Sequence, residues 1–182
     1  MHDEIAWVHQ IAQGDEKAFE KLFRCYASRI FRFAMSYLND RSHAEEVVQE
    51  TMIAVWKSAK DFQEQSQVST WVLGIARNKA LDRARVRQRE PELLREKFDR
   101  RASAHATPEQ IAQREIHIER VRAALEKLSP EHREVMLLAF YNDLSYAEIA
   151  QILGCPEGTV KSRVYYAKEQ LKKILNEGGE TL

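Results

Sequence analysis

The sequence predicts an all-α protein of two small helical domains joined by a charged linker, and three observations predict it. Apolar residues recur at three- and four-residue spacing along nearly the whole chain, the period of a helix buried on one side. Gly and Pro are scarce, 6 and 4 among 182 residues, so few positions interrupt a helix. Ser42–Glu45, Thr107–Gln110 and Ser145–Glu148 each place a hydroxyl residue three positions ahead of Glu or Gln, the pattern of a capping box that starts a helix.

The first block runs over residues 3–89. A short helix carries Ile5, Val8 and Ile11, and Gly14-Asp15 breaks it. Asp15 caps a long helix with Phe19, Leu22, Phe23, Tyr26, Ile30, Phe33 and Tyr37 on its core side, and Asn39-Asp40 ends it. The box at Ser42 opens a helix to about Lys60. Its buried stripe is Val48, Met52, Val55 and Ala59; Glu46, Glu50, Ile53 and Lys57 lie opposite, with Gln49 at the edge. A polar loop from Gln63 to Ser69 follows, and the next helix starts near Thr70.

The linker, residues 90–106, is charged and poor in bulky apolar residues. The second block covers residues 107–177. Thr107-Pro108 restarts helix, with Ile111, Ile118, Val121, Leu125 and Leu128 on one face. Ser129-Pro130 begins another helix, carrying Val135, Leu138 and Ala139. Ser145 and Glu148 then open a helix with Ile149, Ala150, Ile152 and Leu153 as its apolar face. Gly154 supplies the positive φ that ends it, and Pro156 fits the first turn of the next helix.

That last pair has the layout of a helix-turn-helix, whose second helix lies in the DNA major groove. Val160, Val164, Ala167 and Leu171 form its narrow inner stripe. Gly158, Thr159, Ser162, Tyr165 and Tyr166 lie outside, flanked by Lys161, Arg163 and Lys168. Small polar, aromatic and basic groups suit base edges and phosphates. Charge supports this locally. The whole chain is formally +0, yet between Ile75 and Arg89 stand Arg77, Lys79, Arg83, Arg85, Arg87 and Arg89 against Asp82 alone, six minus one, or +5. Between Pro156 and Lys173 on the last helix, Lys161, Arg163, Lys168, Lys172 and Lys173 against Glu157 and Glu169 give +3. Such concentrations are what phosphate binding needs.

Other classes find little support. No apolar run approaches the ~20 residues that span a membrane, and Met1-His2-Asp3-Glu4 is no signal peptide. Cys25 and Cys155 stand far apart without a C-x-x-C partner, which favours a reducing cytoplasm. His132-Arg133-Glu134 is not H-E-x-x-H, no Gly-rich phosphate loop is present, and no His pairs with Cys at zinc spacing. We therefore expect no catalysis, no metal, no cofactor, no small-molecule substrate and no membrane insertion.

The run Ala44-Glu45-Glu46-Val47-Val48-Gln49-Glu50-Thr51, followed by Val55-Trp56, resembles the core-polymerase-binding helix of bacterial sigma-70-type factors. The segment Ser69-Thr70-Trp71-Val72-Leu73-Gly74-Ile75-Ala76-Arg77-Asn78-Lys79-Ala80-Leu81-Asp82 resembles their promoter-melting and −10-reading helix. Leu128-Ser129-Pro130-Glu131 through Gly158-Thr159-Val160-Lys161-Ser162-Arg163 resembles their −35-reading domain. Order and spacing match as well. With room for only two domains, the chain resembles the small extracytoplasmic-function group.

The resemblance implies a promoter-specificity subunit that docks on core RNA polymerase, at the clamp helices and the flap, and is held by a cognate anti-sigma factor. Glu46, Gln49, Glu50 and Ile53 would face polymerase. Phe62, Gln63, Ser66, Trp71 and Asn78 would meet −10 bases, and Arg77, Lys79, Arg83 and Arg85 their phosphates. Thr159, Lys161, Ser162, Arg163, Tyr165, Tyr166 and Lys168 would face −35 duplex. Family loops at Gln63–Val68 often carry Gly and a basic residue; this one has neither and contains Glu64, which leaves the preferred base open. Trp71 has two readings, stacking on bases or core packing beside Val72 and Leu73. An ordinary helix-turn-helix regulator, such as a response-regulator output domain, explains only the residues after about Ser129. A polymerase adaptor has no need of Lys161, Arg163 and Lys168 around Tyr165.

Overall fold

The computed structural model describes residues 2–87, 120–121, 123–141 and 144–177. Helix α1 spans His2–Ala12, α2 Glu16–Leu38, α3 Arg41–Ser58 and α4 Val68–Arg87. A single 3₁₀ turn, Ala59–Asp61, follows α3. Residues 123–126 are helical, and then come α5 (Pro130–Tyr141), α6 (Tyr146–Leu153) and α7 (Glu157–Glu177). No strand occurs among the described residues.

The first unit is built round α2, which packs on α1, α3 and α4. Its core joins Val8 and Ile11 to Leu22, Tyr26, Ile30, Phe33, Val47, Met52, Val55, Val72 and Leu73. Asp15 starts α2 as expected: Lys17 N–H and Ala18 N–H donate to its carboxylate at 2.8 and 3.1 Å. Asn39, left-handed at φ 54°, ends it. Tyr26 is fully buried, and its hydroxyl donates to Glu4 at 3.0 Å. Burial, and then the Glu4 charge, push that phenol well above its ordinary range. In the second unit α5 and α6 pack on α7, burying Val135, Leu137, Leu138, Ile149, Val160, Val164 and Ala167. The two units touch where α6 lies on α4 and α5 lies on α2.

Local details correct the sequence reading. Helix α3 is capped by Asp40, not by a box at Ser42: the chain leaves left-handed Asn39 into extended Asp40, whose carboxylate accepts His43 N–H at 3.0 Å. Ser42 lies inside the first turn. Phe23 is not a core residue; it lies about 100° round the helix from Leu22 and is largely exposed. Helix α4 begins at Val68 because that side chain is buried and the Gln67 carbonyl accepts Trp71 N–H at 3.0 Å. Pro156 sits just ahead of α7, where its carbonyl accepts the N–H groups of Thr159 and Val160. The linker, the Thr107 cap, Ile111 and Ile118 lie outside the described residues.

The corrected cap has a direct test. Asp40→Ala should lower unfolding free energy by about 1 kcal/mol, whereas Ser42→Ala should change it little. Urea denaturation of the two variants measures this.

Candidate nucleic-acid interface

The turn between α6 and α7 is built as its residues require. Ser145 Oγ accepts Glu148 N–H at 3.3 Å, and Glu148 Oε2 accepts Ser145 N–H at 2.8 Å, a reciprocal capping box. Gly154 ends α6 at φ 63° with its N–H on the Ala150 carbonyl. A Cβ there would meet nothing within 4 Å, so the backbone angle rather than space requires glycine. Helix α7 is sharply two-sided. Val160, Val164 and Ala167 are buried, and Leu171 packs against the same core. Tyr165 and Tyr166 are 62% and 60% exposed, their rings edge-on at 5.4 Å.

Ser162 shares that outer side, and the other expected α7 residues flank it. Lys161, Ser162 and Lys168 are exposed, and Thr159 and Arg163 are half-exposed. Lys161 reaches back one turn to Glu157 at 2.8 Å, which raises its pKa. Lys168 lies over the ring of exposed Phe140, 5.1 Å from its centre. Sequence reasoning did not assign Phe140. An aromatic residue at the exposed end of α5, facing a lysine of α7, is the signal it carries.

The loop before α4 is partly tied to the protein. Phe62 and Trp71 stack with ring centres 4.8 Å apart, both half-buried against the core. Trp71 therefore packs, and its remaining surface lines a shallow groove of roughly 530 Å³ with Gln65, Ser66, Gly74, Ile75 and Asn78. Gln151 and Ile152 of α6 form the opposite wall. Asn78 is exposed within it. The Gln63 side-chain carbonyl accepts from Gln65 at 2.9 Å, and Ser66 donates to the Gln67 carbonyl at 3.3 Å. Glu64 takes a left-handed φ of 56° and lies 2.9 Å from His9.

Four cations of α4 are paired with carboxylates, although Arg85 keeps 70% of its side chain exposed. Arg77 makes two hydrogen bonds to Glu134 of α5, Nε to Oε1 at 2.7 Å and Nη2 to Oε2 at 3.0 Å. Arg83 Nη2 lies 2.7 Å from Glu50 and 2.9 Å from Glu46; Lys79 lies 3.8 Å from Glu50, and Arg85 3.2 Å from Asp82. Each of these four cations thus has a carboxylate partner. The expectation that Glu46 and Glu50 share an open outward face changes accordingly. Both are half-buried toward α4, whereas Gln49 is exposed and Ile53 is 52% exposed.

The sequence reading missed the Glu134 partner and the second role of Glu148. Glu134 is only 7% exposed. It lies one turn before Leu138 on the apolar side of α5, and a charge at such a position requires a partner. Glu148 does more than cap α6: its Oε1 accepts the hydroxyls of Thr70 (3.2 Å) and Ser69 (3.4 Å) at the start of α4. One carboxylate thus closes a helix end and bridges the two units.

Residues 22–90 match the family description "Sigma-70 region 2", and residues 118–171 match "Sigma-70, region 4". The chain is 35% identical over 166 residues to the ECF RNA polymerase sigma factor RpoE of Cereibacter sphaeroides, covering 89% of this chain and 88% of that protein. This chain belongs to the extracytoplasmic-function sigma factors of the sigma-70 family. It is also 35% identical over 168 residues to the ECF RNA polymerase sigma factor SigE of Mycolicibacterium smegmatis; there the match spans 90% of this chain but 65% of the relative's length. A sigma factor RpoE solved with the anti-sigma factor NepR from Bartonella quintana superposes at TM-score 0.70, with 26% identity over 88% of this chain and 98% of that one. Among the described residues no helix is long and apolar enough to cross a membrane.

Within this sigma factor the seam has a defined acid response. Burial of Glu148 opposes its ionisation. Hydrogen bonds from the Ser145 hydroxyl and backbone, and from Thr70 and Ser69, outweigh that and hold its carboxyl below the ordinary 4.5. A carboxyl lowered by folding stabilises the fold above its unfolded pKa and loses that contribution as pH falls through the folded one. Urea unfolding of the wild type should therefore steepen in its pH dependence below 4.5. Glu148→Gln should be less stable at neutral pH and show a shallower acid slope.

Proposed function

We propose that the chain is a dissociable specificity subunit of bacterial RNA polymerase that acts in the cytoplasm. The first unit, residues 3–89, docks on the clamp helices of core polymerase through Gln49, Ile53, Glu46 and Glu50. It then captures unpaired −10 bases with the Phe62–Ser69 loop and Asn78. The second unit, residues 107–177, docks near the flap and enters −35 duplex with α7. Nucleotide addition belongs to the polymerase, so this chain does no chemistry. A cognate anti-sigma factor covering these surfaces is part of the reading, supported by the RpoE relative solved with NepR.

The observation that carries the proposal is the two-sided α7. Its inner stripe is fixed in the core, and its outer side offers Ser162, Tyr165 and Tyr166, flanked by Lys161, Arg163 and Lys168. A regulator of another class would leave the acidic α3 and the loop ahead of α4 without a purpose. Run-off transcription with core polymerase tests the reading as a whole. Single Ala substitutions at Lys161, Arg163 and Tyr165 should reduce initiation at a −35-dependent promoter. A side chain that bonds a guanine edge discriminates against the wrong base by roughly 1–3 kcal/mol; one on phosphate alone lowers affinity for every sequence. Three variants that transcribe and footprint like wild type would remove α7 as the reader.

The seam bears on how −10 reading begins. Glu134 neutralises the Arg77 guanidinium and occupies its Nε and Nη2, so a promoter phosphate would meet a paired rather than an open cation. The α6 wall of the groove also stands over Trp71 and Asn78. On this proposal the two units separate before the −10 strand binds. Glu134→Gln should therefore raise the affinity of the free chain for a single-stranded −10 oligonucleotide, by roughly 3- to 10-fold if closure limits access. Fluorescence anisotropy measures it, and an affinity unchanged by Glu134→Gln would dissociate the seam from strand access.

A further inference from the structure

We infer that Arg83 is a positioning residue of the polymerase-docking surface and not a promoter-phosphate contact. The inference rests on the docking reading of Glu46 and Glu50 given above. Glu46 and Glu50 are one helical turn apart, where like charges repel and splay. Arg83, from the neighbouring α4, sets one nitrogen between them. Nη2 donates to Glu50 Oε1 at 2.7 Å and lies 2.9 Å from Glu46 Oε2. Lys79 approaches the remaining Glu50 oxygen at 3.8 Å.

Burial distinguishes the three groups. The Arg83 side chain is 25% exposed, less than either carboxylate partner at 43% and 40%. Glu46 Oε2 is shielded from solvent and makes no directed hydrogen bond, so the Arg83 charge beside it is its compensation. Two positive and two negative charges therefore cancel locally. A phosphate that took Arg83 would leave a shielded carboxylate oxygen unpaired next to a neighbour of like charge. That cost opposes handing the guanidinium to DNA. The arrangement instead holds both carboxylates on one edge of α3, next to exposed Gln49 and Ile53. Preset carboxylates lose less side-chain freedom when a basic partner docks.

The test uses the full chain with core polymerase. Arg83→Met keeps the apolar stem and removes the charge. It should weaken core affinity by about 3- to 10-fold, the range of a partly exposed ion-pair network. It should leave the salt dependence of holoenzyme binding to −10 single strand unchanged. Arg83→Lys, whose single ammonium can still stand between the carboxylates, should restore part of the core affinity. In a Glu46→Gln, Glu50→Gln background, Arg83→Met should lose most of its effect. Core affinity measured well below the melting temperature separates this from a purely structural role, which would lower the melting temperature and leave the core affinity of the folded chain unchanged.

Three results overturn the inference. If Arg83→Met leaves core affinity intact and reduces the slope of log affinity against log salt by roughly 0.7, the single-strand value for one phosphate, Arg83 belongs to the promoter. Glu50→Lys, made alongside, separates this failure from a failure of the docking reading. Lost core affinity in Glu50→Lys with none lost in Arg83→Met rejects the positioning role alone. Unchanged core affinity in both rejects the docking surface and the positioning role with it.

Discussion

A guanidinium and a carboxylate that begin 57 residues apart, those of Arg77 and Glu134, meet in two parallel hydrogen bonds between the two helical units. Taking two charges out of water costs several kcal/mol per ion, so such a pair contributes little net stability. Its larger effect is geometric. A forked guanidinium fits a carboxylate in one orientation, and either group left alone at the seam would be an unpaired buried charge. Glu148 adds a second polar tie, through Ser69 and Thr70, at the other end of the contact. Burial, and then Glu134 beside it, push the nearby Tyr37 phenol up. The seam between the units therefore carries directed polar contacts beside the packing of α6 on α4 and of α5 on α2. Contacts of that kind resemble transient interfaces more than the inside of a domain.

The same logic explains how a chain of formal charge +0 carries six basic residues between Ile75 and Arg89. Arg77, Lys79, Arg83 and Arg85 each meet a carboxylate, but the carboxylates come from three places. Asp82 is local to α4. Glu46 and Glu50 come from α3, inside the same unit. Glu134 comes from the second unit. Only the last partner leaves when the units part. Separation would thus expose one strongly placed cation, Arg77, beside Asn78 and the groove, without disturbing the α3–α4 packing. A net count of charge along α4 hides this distinction because it treats four differently held cations as one field.

The architecture was legible in the sequence wherever a local rule had no competitor. Asp15, the Ser145–Glu148 box, Gly154 and the Val160–Val164–Ala167 stripe all stand as read, because each cap or stripe is decided within a turn or two. The start of α3 was misread because Ser42 and Asp40 both offer a cap, and the left-handed Asn39 decides between them. Phe23 was misread because a long helix with a wide apolar face does not reveal where its neighbours stop covering it. The exposure of the α7 side chains was legible because it follows directly from helical period. That of the α4 side chains was not, because their partners are set by tertiary contacts that span 33 and 57 residues. A single clue lay in plain view: a glutamate at the apolar position before Val135 needs a cation, and the sequence does not say which.

The two DNA-reading surfaces of the proposed function differ in a way that fits this arrangement. The outer side of α7 lies open, with Tyr165 and Tyr166 standing clear of the fold. On that proposal its target, duplex, is present before promoter opening. The groove beside Trp71 and Asn78 would read bases that are unpaired only after promoter opening. Before polymerase is engaged, an exposed Arg77 and an exposed stacking groove would bind any single strand, since phosphate attraction and stacking are largely independent of sequence. On the proposed function, placing Glu134 on Arg77 and α6 along the groove would lower that indiscriminate affinity. The polar character of the seam then matters as much as its position. An apolar seam of equal area would resist water and DNA alike, whereas an ion pair can be exchanged, one carboxylate for one phosphate, by a strand held close enough to compete.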